Sequence, residues 1–197
     1  NIISLTCNRL TYEKDNGATT NERLSDEVYV VYNVTLCENY DFSVFNKYET
    51  DGKDGFVTLI DNNGDARYDV ALIDAYDSYV VTYVSDKKIY NRYRQSEVLD
   101  LGTFADEVEI MNILGQPLPL SDIEADDVIS VSSDLNGNVK RIVVTVDSYV
   151  GNVDYIDYTN DEEIIVSMDG IVFDVSASLS FDKHFKNIKK GDEIKIY

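Results

Sequence analysis

The residues best suited to chemistry in this chain of 197 residues lie in one acidic loop, within the stretch LIDNNGDARYDVALI. Asp61, Asn63, Asp65 and Asp69 are spaced like positions 1, 3, 5 and 9 of a calcium loop, and Arg67 could offer its backbone carbonyl at position 7. Oxygen donors at this spacing are what calcium loops use. The spacing predicts that calcium is the ion this loop could bind.

Two departures argue against a helix-loop-helix calcium site. Ala66 stands where glycine normally allows the sharp turn, and Leu72 stands where a bidentate glutamate is needed. Two interpretations stay open: a calcium-closed β-hairpin, and a turn whose Asp and Asn side chains bind their own backbone. The related turn SDLNGNVK (133–140) keeps its first polar residues and lacks the later ligands. This difference favours the structural turn, so no cofactor is required.

A second candidate site is the basic and aromatic stretch KKIYNRYR (87–94). Tyr90, Arg92 and Tyr93 could form a platform for a glycan or a protein, because aromatic rings and guanidinium groups stack on such partners. The alternative is that this stretch is a loop or linker between units.

Other catalytic chemistry is poorly supported. His184 is the only histidine, and the chain has no GxSxG, GxGxxG or P-loop pattern. Adjacent acids such as those at 126–127 and 162–163 point to opposite faces of a strand, so they favour a charged strand edge over a glycosidase pair. An enzyme is not predicted, and a glycoside-active enzyme is the least favoured function. Cys7 and Cys37 could form one disulfide or remain two buried thiols.

The charge balance limits the partners. The chain carries 17 Lys and Arg against 37 Asp and Glu, a net charge of −20. Binding to nucleic acid or to an anionic membrane surface needs clustered positive charge, so neither is predicted. No apolar run approaches the ~20 residues that span a bilayer, and membrane insertion is not predicted either.

The elements that must hold these residues are β-strands. Val, Ile, Thr and Tyr dominate short alternating runs, which Asp, Asn and Gly separate. Turns such as MDGI (168–171) and LNGNV (135–139) suit tight hairpins, so neighbouring strands are expected to be mostly antiparallel. The sequence NVT at 33–35 is a glycosylation sequon inside a predicted strand. The predicted strands are 27–34, 55–60, 68–73, 78–84, 107–113, 127–133, 139–146, 152–158, 162–168, 171–177 and 192–197.

Repeats organise these strands. The tetrapeptide DSYV occurs at 77–80 and at 147–150, each time after a hairpin, and EVYVVYN (27–33) aligns with EVEIMNI (107–113). We therefore predict an all-β chain of tandem small antiparallel β-barrel or sandwich modules, with breaks near 95–106 and 147–151. The expected segments are an N-terminal strand and polar loop (1–26), two β modules (27–100 and 101–150), and a third module (151–197) expected to be an excerpt of a longer one.

These motifs resemble a known class of protein. The resemblance lies in the order of its motifs: VYN, DFSVFN, GFVTLIDNNGDARYDVALIDAYDSYVV, KKIYNRY, LPLSDIEADDVISV, GNVKRIVV and KKGDEIKIY. In this order the chain is similar to the β-rich repeat region of large secreted proteins that carry S-layer homology domains in Gram-positive bacteria. The chain also resembles segments of virion structural proteins of phages that infect such bacteria. The likeness covers roughly residues 25–197, although the chain holds no S-layer homology domain itself. It implies tandem β modules in an extracellular, cell-surface polypeptide without an active site in this region.

The expected function is therefore non-catalytic: a structural spacer or display segment of a larger cell-surface protein. Its expected partners are neighbouring modules of the same chain or further copies of itself. The alternatives are a virion structural protein and a module that binds a glycan or a protein.

Overall fold

A computed structural model describes residues 2–14, 18–38, 45, 53–93, 96–102, 107–157, 164–176, 185 and 187–197. Over these residues the chain forms β-strands and a 3-10 turn at Leu120–Asp122, with no α-helix, and the all-β prediction is confirmed. The strands are β1 (Ile2–Thr6), β2 (Arg9–Glu13), β3 (Thr19–Tyr32), β4 (Thr35–Leu36), β5 (Asp54–Ile60), β6 (Tyr68–Ser85), β7 (Lys88–Asn91), β8 (Val98–Asp100), β9 (Glu109–Asn112), β10 (Val128–Ser133), β11 (Val139–Thr145), β12 (Tyr149–Asp157), β13 (Ile165–Met168), β14 (Ile171–Asp174) and β15 (Glu193–Ile196).

The chain divides into two compact units. The first contains residues 1–76 and 132–138, and the second contains 77–131 and 139–197. Strand β6 contributes residues to both units. The four-segment division expected from the repeats remains a prediction.

The first unit is a mixed sheet. Strands β1, β2 and β3 form an antiparallel ladder, and the second half of β3 pairs in parallel with the start of β6. Strand β5 runs antiparallel to β6. Alternating apolar residues of these strands share one buried core, in which the described members include Leu10, Leu24, Val30, Phe45, Ala71 and Ile73.

The second unit contains two sheet regions. In the first region, the part of β6 from Asp77 onward pairs with β7 and with β10. Strand β7 also pairs with β8, and β11 lies between β10 and β9. In the other, β14, β13, β12 and β15 form an antiparallel four-stranded sheet in that order. Each region buries its own apolar cluster, around Val81, Ile89 and Ile129 in the first and around Val153, Val166 and Met168 in the second.

Most strand pairs are antiparallel, as predicted, but β3 with β6 and β9 with β11 are parallel. Alternation of apolar and polar residues reports which side chains are buried and not which way the partner strand runs. The two parallel pairs were therefore missed.

Two stretches predicted as loops are largely strands. The polar stretch 11–26 supplies the end of β2 and the first half of β3, and Lys88–Asn91 of the basic stretch forms β7. In the first half of β3 only Leu24 is buried, so the apolar signal there is weak. Pairing with β2 satisfies the backbone of this polar segment without an alternating pattern.

One hairpin geometry recurs three times. In β1–β2, β6–β7 and β12–β13 the pairing is antiparallel and is interrupted by an irregularity at the first pair. The first pairs are Ile2↔Tyr12, Val81↔Asn91 and Val153↔Met168, and the pairs after the irregularity are Ser4↔Thr11, Tyr83↔Tyr90 and Tyr155↔Ser167. Ile2, Val81 and Val153 thus hold the same place in three hairpins.

The contacts that follow each hairpin also match. A third strand pairs with the hairpin each time: β3, β8 and β14. A residue within or just after this third strand donates its backbone N–H to the carbonyl of the residue that precedes the second strand of the hairpin. These bonds run from Leu24 to Asn8 O at 3.0 Å, from Leu101 to Lys87 O at 3.0 Å and from Val175 to Ile164 O at 2.9 Å. The DSYV repeat would align Val81 with Gly151, whereas strand pairing aligns it with Val153. The structural match is therefore shifted by two residues from the sequence match.

Candidate functional sites

The acidic loop between β5 and β6 binds its own backbone. The Asp61 carboxylate accepts N–H bonds from Gly64 at 2.7 Å, from Ala66 at 3.1 Å and from Asn63 at 3.2 Å. The loop closes at its far side, where Asp69 accepts the N–H of Asn62 at 2.9 Å. These are the side-chain-to-backbone bonds expected of the structural turn.

The two middle oxygens of the proposed ligand set are engaged in the same way. Asn63 Oδ1 accepts the N–H of Asp65 at 2.8 Å, and Asp65 Oδ1 accepts the N–H of Arg67 at 2.9 Å. In the part of the chain that the structure describes, no three His, Cys, Asp or Glu side chains are grouped so that they could hold a metal ion. Calcium binding at this loop remains a prediction.

The hydrogen bonds also set the electrostatics of the loop. The N–H bond from Gly64, with weaker help from Ala66, Asn63 and Asp65, holds the pKa of Asp61 below its usual value of 3.8. The backbone donors favour the ionised carboxylate. Asp61 is therefore a turn-forming anion at neutral pH.

The three residues of the expected ligand platform contact three different partners. Tyr90 lies in β7 and stacks on Tyr83 of β6, with ring centroids 4.1 Å apart and planes inclined by 16°. Tyr93 instead packs edge-on against Phe185, with centroids 5.1 Å apart. Arg92 forms an ion pair with Asp126. Each of these side chains has a structural partner.

The stacked pair is nevertheless the most accessible aromatic feature of this region. Tyr83 is 49% exposed, and it faces Tyr90 directly across the β6–β7 ladder. Desolvation, together with a hydrogen bond to Tyr90, raises the pKa of the Tyr83 hydroxyl. Beside it, on the same face of β7, Lys88 pairs with Asp100 at 3.1 Å. Tyr83 was not predicted, because its contact with Tyr90 depends on the irregularity in strand pairing.

Asn33, the acceptor of the sequon, is buried and fully bonded. Its Nδ2 donates to Ala75 O and to Ser133 O, both at 2.7 Å, and its Oδ1 accepts the N–H of Ala75 at 2.8 Å. The residue is 2% exposed. In the folded chain Asn33 therefore joins three segments of the first unit and is not accessible to a glycosyltransferase.

A cavity in the first unit was not predicted. It has a volume of about 440 Å³ and lies between the β1–β2 hairpin and strand β5. Its apolar wall includes Ile2, Leu10, Val57 and Ile73, and its charged rim includes Glu13, Lys14, Lys53 and Asp74. Residues far apart in sequence line it, so no local pattern could have predicted it.

The remaining residues of interest fall as follows. Asp126 pairs with Arg92, and Asp127 accepts the N–H of Glu124 at 2.8 Å. Both cysteines are free thiols: Cys7 is exposed and Cys37 is buried, where desolvation raises the pKa of its thiol. The acids at 162–163 and the histidine at 184 lie outside the described residues.

Comparisons with known proteins do not assign the chain to a family. No protein-family profile matches it, and a search of curated proteins finds no related sequence. Within the described residues, no helix is long and apolar enough to cross a membrane.

Proposed function

We propose that this chain is a non-catalytic structural segment, a spacer or display region of a larger extracellular cell-surface protein, built from tandem β modules. The observation that carries the proposal is the hairpin geometry repeated at Ile2, Val81 and Val153, with the same pairing and the same following contact. Repetition of small units of one design is typical of proteins that extend or present other domains.

The side chains that could do chemistry support a structural role. The loop carboxylate of Asp61 and the acids Asp126 and Asp127 are engaged with backbone donors or with an arginine. A catalytic carboxylate pair would instead converge on one cleft. The net charge of −20 and the resemblance to surface-protein repeats support a location outside the cell.

The Tyr83–Tyr90 stack favours a second candidate, a module that binds a glycan. Exposed aromatic rings on a sheet can stack on sugar rings, and Tyr83 of this pair is about half exposed beside the polar Lys88–Asp100 pair. A glycan-binding module would make this stack its contact surface.

Affinity electrophoresis through gels that contain bacterial cell-wall polysaccharide separates the two functions. A spacer is expected to migrate at the same relative rate with and without the polysaccharide, and to release no reducing sugar from it. Retardation that saturates and is lost in the Tyr83→Ala/Tyr90→Ala variant would replace the spacer by the glycan-binding module. Tyr155→Ala is the matched control, because Tyr155 is also 49% exposed and occupies the corresponding position in β12.

A further inference from the structure

The outer edge of strand β5 differs from its counterparts in the second unit. There, β10 is paired along one edge by Asp77–Val80, and β15 is paired in the same way by Tyr149–Asn152. Strand β5 pairs with β6, and no second strand pairs with it within the described residues. Among the described strands, one edge of β5 therefore has no counterpart of the segments that pair with β10 and β15.

The counterpart of β5 can be identified from its neighbours. β5 lies beside β6, which pairs in parallel with β3, and β10 lies beside β11, which pairs in parallel with β9. The order β3–β6–β5 therefore corresponds to β9–β11–β10.

The segments that pair with β10 and β15 have the same place relative to the matched valines. Asp77–Val80 comes directly before Val81, and Tyr149–Asn152 comes directly before Val153. Because Ile2 matches both valines, the corresponding segment would stand directly ahead of Ile2.

The hydrogen bonds show how such a segment is held. Val81 N donates to Asp127 O at 2.8 Å, and Asp126 N donates to Val81 O at 2.9 Å. Val153 makes the same two bonds, to Asp192 O at 2.9 Å and from Gly191 N at 2.8 Å. Because backbone groups alternate along a strand, the residues two and four before the valine face β10 or β15 in turn.

The space beside β5 fits this role. The cavity of about 440 Å³ is lined by Ile2 and Tyr12 of the β1–β2 hairpin, by Gly55–Val57 of β5 and by Ile73–Ala75 of β6. It therefore joins the place where the segment would begin to the strand with which it would pair. An unpaired strand edge is a template for an added strand.

We infer that the outer edge of β5 is an acceptor for one added β-strand, a four-residue extended segment of the Asp77–Val80 type joined directly ahead of Ile2. The segment would pair with four residues of β5 and fill the cavity between β5 and the β1–β2 hairpin. This inference rests on matched strand pairing and does not depend on the proposed spacer function.

The test adds the segment. Asn1 is replaced by Asp-Ser-Tyr-Val, and amide hydrogen exchange of the β5 peptide is compared with that of the original chain. Added ladder bonds are expected to slow exchange over Phe56–Leu59 at least about tenfold and to raise the Tm by about 3 °C. Exchange of the β15 peptide in the second unit is expected to stay unchanged.

Two matched extensions separate strand pairing from simple burial. The Asp-Ser-Ala-Val extension keeps every backbone N–H and removes the tyrosine ring. It should retain most of the protection from exchange, because the residue two positions ahead of Val153 is Gly151, which has no side chain. Asp-Ser-Pro-Val removes the N–H that should face β5, so it should lose the protection. Equal exchange for the Ala and Pro extensions, or no slowing with any extension, would overturn the inference. Retarded migration in the polysaccharide gel would contradict the proposed spacer function and would leave the inference about β5 unaffected.

Discussion

Asn33 joins distant segments of the first unit through its side chain. It is buried, its backbone has a φ of 43°, and its amide bonds to two backbone carbonyls and one backbone N–H. A short polar side chain that tolerates the left-handed region is suited to this place. The role of Asn33 was not predicted, because the sequence does not report which backbone groups a distant segment leaves unsatisfied.

We expect Asn33→Ala to lower the free energy of unfolding by about 2–4 kcal/mol, because each buried polar group left without a partner costs about 1–3 kcal/mol. Urea denaturation followed by circular dichroism measures this loss. Asn62→Ala, at an exposed loop position, is the control and should change stability by less than about 0.5 kcal/mol. Equal effects of the two variants would mean that the Asn33 bonds contribute no net stability.

Asp61 gives a prediction about pH. Its pKa is lowered in the folded chain by the N–H bond from Gly64 and by further backbone donors, so the ionised form stabilises the fold above the usual value of 3.8. That contribution is lost as the pH falls through the lowered pKa. The Tm of Asp61→Asn should be below that of the original chain at pH 7, and the difference should shrink toward pH 3. A difference that stays constant with pH would contradict this assignment.

Strand β5 depends on glycine at one position. A Cβ added to Gly55 would lie 1.9 Å from Asp74 O, a backbone atom of the partner strand β6. We expect Gly55→Ala to cost about 1–3 kcal/mol through this overlap, or more if β5 separates from β6. Gly64→Ala controls for backbone strain alone, since Gly64 has a φ of +76° and no atom within 4 Å of the added Cβ. Gly64→Ala should cost about 1 kcal/mol, and a larger loss there than at Gly55 would contradict the prediction.

At the element scale, the sequence predicted the strands whose side chains alternate and missed those held by pairing alone. The hairpin arms β5, β10 and β11 lie within two residues of their predicted bounds, because one face of each is apolar. The first half of β3 and strand β7 were missed, since their polar residues look like loops. The acidic loop was predicted as either a calcium loop or a turn bound to itself, and its backbone bonds are those of the turn. The Tyr83–Tyr90 stack could not be predicted without the pairing register of strands β6 and β7.

At the scale of the whole molecule, the dominant property is charge. A net charge of −20 on 197 residues makes the folded chain repel itself, and the ion pairs formed by Lys88 and by Arg141 compensate only locally. Raising the NaCl concentration from about 0.01 M to 0.15 M shortens the screening length from about 30 Å to about 8 Å. The Tm should therefore rise over this range.

The same charge tests the calcium hypothesis. Any divalent cation screens an acidic protein, so a rise in Tm with calcium alone is not evidence for a site. If the Asp61–Asp69 loop is a turn held by its own backbone, calcium and magnesium at equal ionic strength should raise the Tm equally, and a chelator should return it to the value in NaCl. A ligand that binds only the folded state adds stability according to its concentration relative to its Kd. A further rise with calcium that is lost in Asp69→Asn would therefore identify an ion in the loop, and the turn would then have two sources of stability.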